Sequence, residues 1–187
     1  MIIATNNKSK VEEIKKIFNN QDMYSLKDKN IKADIIEDQD TFIGNAKKKA
    51  IEIYEISHEE VIADDSGLCI NCLDGFPGVI TDRFLGEDAT DKMKNEYLIK
   101  KVNNYDDRSA KVICNLVYYN GADIIVGEGV LDGFIATECR GENGFGFDEI
   151  FELPNGLTLA ELSPEEKNKV SARSLAIKDL KKKLMHH

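Results

Sequence analysis

A chain of 187 residues with 42% hydrophobic content can bury one sizeable core and is too short to require two conventional domains, so one domain over 1–187 is expected. The net charge of -9 argues against general nucleic-acid binding, which rests on clustered Lys and Arg displacing counterions; a small anionic substrate would need a local cationic island and a divalent metal. Apolar runs stop far short of the roughly 20 residues that span a bilayer, and the first residues read as a strand instead of a signal peptide, which predicts a soluble cytoplasmic protein without membrane contact.

In chain order, Ile2 to Ala4 reads as a short buried strand, and Lys8 to Phe18 as a helix with Val11, Ile14, Ile17 and Phe18 on one face. A second helix is predicted from Thr41 to Ser57, its stripe made of Phe42, Ala46, Ala50, Ile53 and Tyr54. Val61 to Ala63 forms a buried strand running into Asp64 and Asp65; Leu68 to Leu73 is strand-like, and Ala89 to Val102 is a helix after a Gly-Glu-Asp turn. Ala110 to Tyr119 and Ile124 to Val130 flank Asn120-Gly121, a hairpin signal because both residues tolerate positive φ, and Phe134 to Thr137 adds a further strand. Ser163-Pro164-Glu165-Glu166 combines a hydroxyl cap, Pro at the first helical position and Glu three residues after the cap; a last helix runs from Ser171 to Leu184. Helices alternating with strands at the start and hairpins in the centre predict a mixed α/β sheet flanked by helices.

Cys69, Cys72, Cys114 and Cys139 lie in apolar, strand-like segments, which suits buried thiols in a reducing compartment. The C-x-x-C of Cys69 and Cys72 would point to opposite faces of a strand, with no second Cys or His pair to complete a zinc site. The histidines are His58, His186 and His187, the last two reading as a tag remnant, so a His-based catalytic scheme is unattractive.

Four segments carry candidate chemistry. Thr5-Asn6-Asn7-Lys8-Ser9-Lys10 lies where a strand ends and a helix begins, where free N–H groups and the helix dipole favour an anion, although a capped helix with solvated lysines would look the same. Asp64 and Asp65 follow an apolar strand, and paired carboxylates at a strand end can hold magnesium and orient a water; Asp-Asp-Ser-Gly is equally a turn. Gly144-Phe145-Gly146-Phe147-Asp148 offers close backbone approach and two rings for the face of a base, or a glycine-kinked core strand. Lys167, Lys169 and Arg173 form a basic group that would pass singly as a solvated helix face.

TNNKSKVEEI, DTFIGNAKKKA, ADDSGL, GFPGV, GEDATD, GFGFDEIF, AEL and EEKNKVSAR occur in an order that resembles, over essentially the full length, the inosine triphosphate pyrophosphatase or Ham1 family of non-canonical purine NTP pyrophosphatases. The resemblance implies a long, curved mixed β-sheet with helices forming two lobes, a nucleotide in the cleft between them, and a homodimer. It implies hydrolysis of ITP, dITP or XTP to the monophosphate and pyrophosphate with Mg2+, Thr5 to Lys10 contacting the triphosphate, Glu37 and Asp65 holding the metal, Asp65 accepting the proton and Ser66 touching substrate. Phe145, Gly146, Phe147, Asp148, Lys167, Ala172 and Arg173 fall on the remaining nucleotide-contacting positions. Phe147 and Glu149 replace the usual Tyr and Pro, Ala172 the usual His, and Gly44 the usual Glu, so the base-reading edge departs from the family while the triphosphate and metal motifs are intact. The missing phenol and imidazole suggest one alternative, a nucleotide-binding sensor with little turnover; a second alternative is a pyrophosphatase for modified pyrimidine triphosphates.

Overall fold

The computed structural model describes residues 1–19, 22–33, 35–86 and 88–186, so Glu87 of the GEDATD segment and His187 of the terminal pair lie outside the described residues. The strands are β1 (Ile2–Ile3), β2 (Tyr24–Ser25), β3 (Val61–Ile70), β4 (Ser109–Tyr119), β5 (Ile124–Ile135) and β6 (Phe151–Glu152). The α-helices are α1 (Lys8–Phe18), α2 (Phe42–Ser57), α3 (Asp91–Val102), α4 (Pro164–Val170) and α5 (Ala172–Leu184). The sheet order is β2-β1-β3-β4-β5-β6. It is mixed, as predicted: β1 pairs parallel with both β2 and β3, Ile2 standing opposite Tyr24 and Val61, while β5 and β6 are antiparallel.

The chain divides into two compact units, and β3, β4 and β5 each supply residues to both. The first comprises residues 1–66, 114–129 and 172–187. Its core gathers Ile2, Ala4, Leu26, Ala46, Ala50, Ile53, Val61, Ala63 and Val117, the apolar stripe of α2 closing over one face of β1 and β3. Asn7 caps α1 by accepting from the Lys10 amide at 3.2 Å, and Asn19 ends it at φ 52. Thr41 caps α2, accepting from the Gly44 amide at 3.0 Å, so the helix begins one residue later than the apolar pattern suggested. Lys181 of α5 donates to the carbonyls of Ile17 and Phe18 at 3.1 and 2.9 Å, satisfying the end of α1. Between β4 and β5, the Asn120 side chain accepts from the amides of Ala122 and Asp123 at 2.9 and 2.7 Å, and Gly121 alone takes a positive φ, of 97.

The second unit comprises residues 67–113 and 130–171. Leu68, Ile70, Leu98, Val102, Ile135, Ile150 and Phe151 are buried in it. Ser163 and Glu166 form the predicted capping box with Pro164 at the helix start.

Helices α3 and α5 also begin two and one residues later than expected, at Asp91 and Ala172, and the strands and turns differ more. The strands expected before and after Asp64-Asp65 are one strand of 10 residues, because the turn-like Asp-Asp-Ser-Gly is held extended by side-chain partners described below. Asn71–Leu73 is a 3-10 turn, and the strand expected from Phe134 is the continuation of β5 through Gly133, where an added Cβ would run into the Glu152 carbonyl and the Phe151 ring. The expectation of buried thiols holds for Cys69 and Cys114, whereas Cys72 is half-buried and Cys139 is exposed; all four are free. No helix among the described residues is long and apolar enough to cross a membrane.

Candidate active site

Asp64 and Asp65 sit halfway along β3, not at its end, with exposures of 1% and 4%. Successive strand residues face opposite sides. Asp65 shares the side of Val61 and Ala63, toward α2, and Asp64 the side of Ile62 and Ser66, toward α1 and α5. Two adjacent buried carboxylates are tolerable because each face supplies its own cations and donors.

On the Asp64 face, Oδ2 accepts from Arg173 through Nη2 at 3.0 Å and Nε at 3.4 Å, and lies 3.4 Å from the Lys10 ammonium. Arg173 Nη2 also donates to Ser66 Oγ at 3.1 Å, and its Nη1 donates to Glu13. Burial by itself would raise the Asp64 carboxyl; Lys10 and Arg173 outweigh it and hold the group ionised, well below the usual carboxylate range. For Arg173, burial opposes the charge and Asp64 and Glu13 more than restore it. Asp64 Oδ1 is buried without a hydrogen-bond partner among the described residues. Burial pushes the neighbouring Cys114 thiol up to about 12, so it stays protonated at neutral pH.

On the other face, Asp65 Oδ2 accepts from Asn45 Nδ2 at 3.0 Å, and Oδ1 accepts from the Ser66 amide at 3.1 Å and lies 3.8 Å from the Lys49 ammonium. Lys49 also pairs with Glu37 at 2.7 Å. Burial pushes the Asp65 carboxyl up to about 6, the Glu37 charge adding to it and the Lys49 charge opposing it. The contrast is informative: of two neighbouring aspartates, one is locked as an anion and the other is a much better proton acceptor. Among the described residues, no group of three or more His, Cys, Asp or Glu side chains could hold a metal.

The amino-terminal loop folds as its sequence suggested. Thr5 Oγ1 accepts from the Asn7 amide at 3.1 Å, and Asn7 is the helix cap. Asn6, Asn7 and Lys8 are exposed, and Ser9 is half-buried. The amides of Lys8 and Ser9 occupy the first helical positions, where no intrahelical acceptor exists. Lys10, expected to face phosphate, is buried with its ammonium on Asp64. Beside the loop lies a groove of about 510 Å³ lined by Asn6, Lys27, Asn30 and Lys32.

In the second unit, Asp148 Oδ2 pairs with Lys167 Nζ at 2.5 Å and accepts from the Phe145 amide at 2.9 Å, while the Lys167 ammonium lies 4.4 Å from the centre of the Phe145 ring. The segment is a run of turns with Gly144 at φ 83 and Gly146 at φ 64, not the core strand that was its alternative reading. Phe147 lines a small cavity with Thr81, Asp91 and Asn95.

Thus Lys10, Ser66, Arg173 and Asp64 converge on one face of β3, Asp65 and Glu37 share Lys49 on the other, and Phe145, Asp148 and Lys167 form a separate cluster. Ala172 is only 2% exposed at the first turn of α5, where Gly129 packs so closely that a Cβ would meet the Ala172 carbonyl. Sequence reasoning did not assign Glu13, Asn45 or Lys49. A signal was present for the last two: they fall on the buried stripe of α2 with Phe42, Ala46, Ala50 and Ile53, where a polar residue needs a partner.

A mixed sheet flanked by helices, whose central strand carries two buried carboxylates, one held ionised by cations and one with a raised affinity for a proton, defines an α/β protein. The chain belongs to the Ham1 family, whose model matches residues 1–183. It is 39% identical to a dITP/XTP pyrophosphatase of Clostridium tetani over 98% of this chain and 95% of that protein, and 43% identical to one of a Thermoanaerobacter species over 97% and 94%. The Ham1 protein structure from Staphylococcus aureus superimposes with a TM-score of 0.89 at 35% identity, covering 99% of this chain and 97% of that one.

Proposed function

We propose that this chain hydrolyses non-canonical purine nucleoside triphosphates, the dITP, XTP and ITP class, to the monophosphate and pyrophosphate. The observation that carries the reading is Asp65, a buried carboxylate pushed up to about 6, beside a strand partner held ionised. The names of the Clostridium and Thermoanaerobacter relatives supply the substrate class.

In this reading Asp65 orients a water and takes its proton as the water oxygen bonds to the α-phosphorus. The bridging α–β bond then breaks, and its electron pair leaves with pyrophosphate. The free amides at the start of α1, with Thr5, Asn6, Asn7, Lys8 and Ser9 around them, bind phosphate oxygens. Lys10 acts one step removed, neutralising Asp64 so that the centre does not repel the polyanion.

The residues fit a hard divalent cation, for which we propose magnesium. Glu37 and Asp65 offer two carboxylates that share the single ammonium of Lys49, and magnesium is ordinarily held by one or two carboxylates with water and substrate phosphates completing its shell. When bound, such an ion offsets phosphate charge and acidifies a coordinated water. Glu37→Gln is therefore expected to raise the magnesium concentration needed for half-maximal rate several-fold while leaving the rate at saturating magnesium within about threefold; titrating magnesium against initial rate measures both.

Selectivity for a 6-keto purine requires a donor to O6 that the amino group of adenine would leave unpaired. Arg173 is engaged by Asp64, Ser66 and Glu13, so we assign that donor to a backbone amide. With magnesium present, dITP, ITP or XTP should give pyrophosphate and monophosphate, with ATP, CTP and UTP slower by about a hundredfold or more. Orthophosphate plus diphosphate as products, or equal rates on ITP and ATP, refute the assignment.

A further inference from the structure

We propose that Asn45 is a positioning residue that fixes the Asp65 carboxylate and the Glu37 segment relative to each other. Asn45 is wholly buried where the first turn of α2 closes, its own amide donating to the Thr41 carbonyl. Asparagine is a poor interior helix residue, and the neighbouring core-facing positions are Phe42, Ala46 and Ala50, so an apolar side chain would serve packing alone better. Both ends of its amide are used. The Gln39 amide donates to Asn45 Oδ1 at 3.0 Å, and Asn45 Nδ2 donates to Asp65 Oδ2 at 3.0 Å.

The first of these bonds fixes the second. A backbone N–H can only donate, so the atom facing Gln39 is the amide oxygen, and the NH2 group is left pointing at Asp65. With the Ser66 amide on Oδ1 at 3.1 Å, both Asp65 oxygens are held and the carboxylate plane cannot turn. The other limb reaches the second carboxylate. Gln39 ends the segment that carries Glu37, which α2 also grips through Lys48, donating to the Ile36 carbonyl at 2.8 Å and to Asp38 at 2.9 Å, and through Lys49 on Glu37. One amide thereby ties the loop bearing Glu37 to the strand bearing Asp65. The two carboxylates belong to different segments, and nothing in their own chain connectivity sets their separation.

This inference rests on the assignment of Glu37 and Asp65 to a divalent cation, and it is tested by two readouts on full-length protein. In Asn45→Ala both limbs are lost: kcat for dITP is expected to fall by about tenfold to a hundredfold with KM within about threefold, and Mn2+ binding without nucleotide, followed by the free-ion electron paramagnetic resonance signal, to weaken several-fold. Asn45→Asp keeps the acceptor for Gln39 and replaces the donor to Asp65 by a like charge, so kcat should fall at least about tenfold even where Asn45→Ala does not fold. A kcat within about twofold of wild type in either folded variant, or a loss confined to KM with Mn2+ binding unchanged, overturns the role. Wild-type protein that releases no pyrophosphate from dITP or XTP refutes the proposed function instead, and the Mn2+ comparison still decides whether Asn45 sets the carboxylate pair.

Discussion

Asp65→Asn is expected to lower turnover of dITP or XTP by at least about a hundredfold while the nucleotide still binds. The amide has the shape of the carboxylate but cannot take a proton from water and is a weaker ligand for a hard cation. Asparagine also meets its neighbours awkwardly. Asn45 Nδ2 and the Ser66 amide both donate to Asp65, so the NH2 group of the variant must face one of these donors. Substrate affinity should survive because the phosphate-binding amides of α1 are untouched; single-turnover pyrophosphate release beside equilibrium binding of the triphosphate separates the two effects. Near-normal turnover would remove Asp65 from the proposed mechanism.

What was legible in the sequence follows from what is local. The span of α1 was legible from its apolar face, Val11, Ile14, Ile17 and Phe18, and the α4 capping box because Ser163 and Glu166 are three apart. Chemistry that depends on distant partners was less visible. Asp-Asp-Ser-Gly has turn composition, yet it lies in the middle of a strand where Lys10 and Arg173, residues at opposite ends of the chain, converge on Asp64, and Asn45 and Lys49 meet Asp65. Without those partners Asp64 and Asp65 read as one pair at a strand end, whereas the strand's alternation puts them on different faces in different electrostatic surroundings. Arg173 itself read as a nucleotide contact. The sequence contains no sign that Glu13, which resembles any solvated glutamate on α1, completes an ionic network with it.

That network gives Arg173 a structural role in the first unit. Arg173→Met keeps the aliphatic stem but strips a buried guanidinium from Asp64, Ser66 and Glu13 at once, leaving two carboxylates with Lys10 as the cation already on Asp64. Removing one partner of a buried ion pair commonly costs about 3 to 5 kcal/mol, because the remaining charge stays desolvated, and a loss of that size is expected in urea unfolding at pH 7. The pH dependence identifies the cause. In the wild type, the folded Asp64 carboxyl lies below its ordinary value of 3.8, so its contribution is fully present above that value and is lost as pH falls toward the lower folded one. Without Arg173, one of the cations that offset burial is gone and the folded value moves up, although Lys10 still opposes burial, so the variant is penalised at pH 7 and relieved as Asp64 takes a proton. The gap between the two proteins should therefore narrow as pH falls through the carboxylate range. Adding Asp64→Asn and Glu13→Gln to Arg173→Met should recover a large part of the loss at pH 7, since neutral side chains no longer need the cation. A cost under about 1 kcal/mol, or a gap independent of pH, would mean that Arg173 is held in place by these residues without holding them in return.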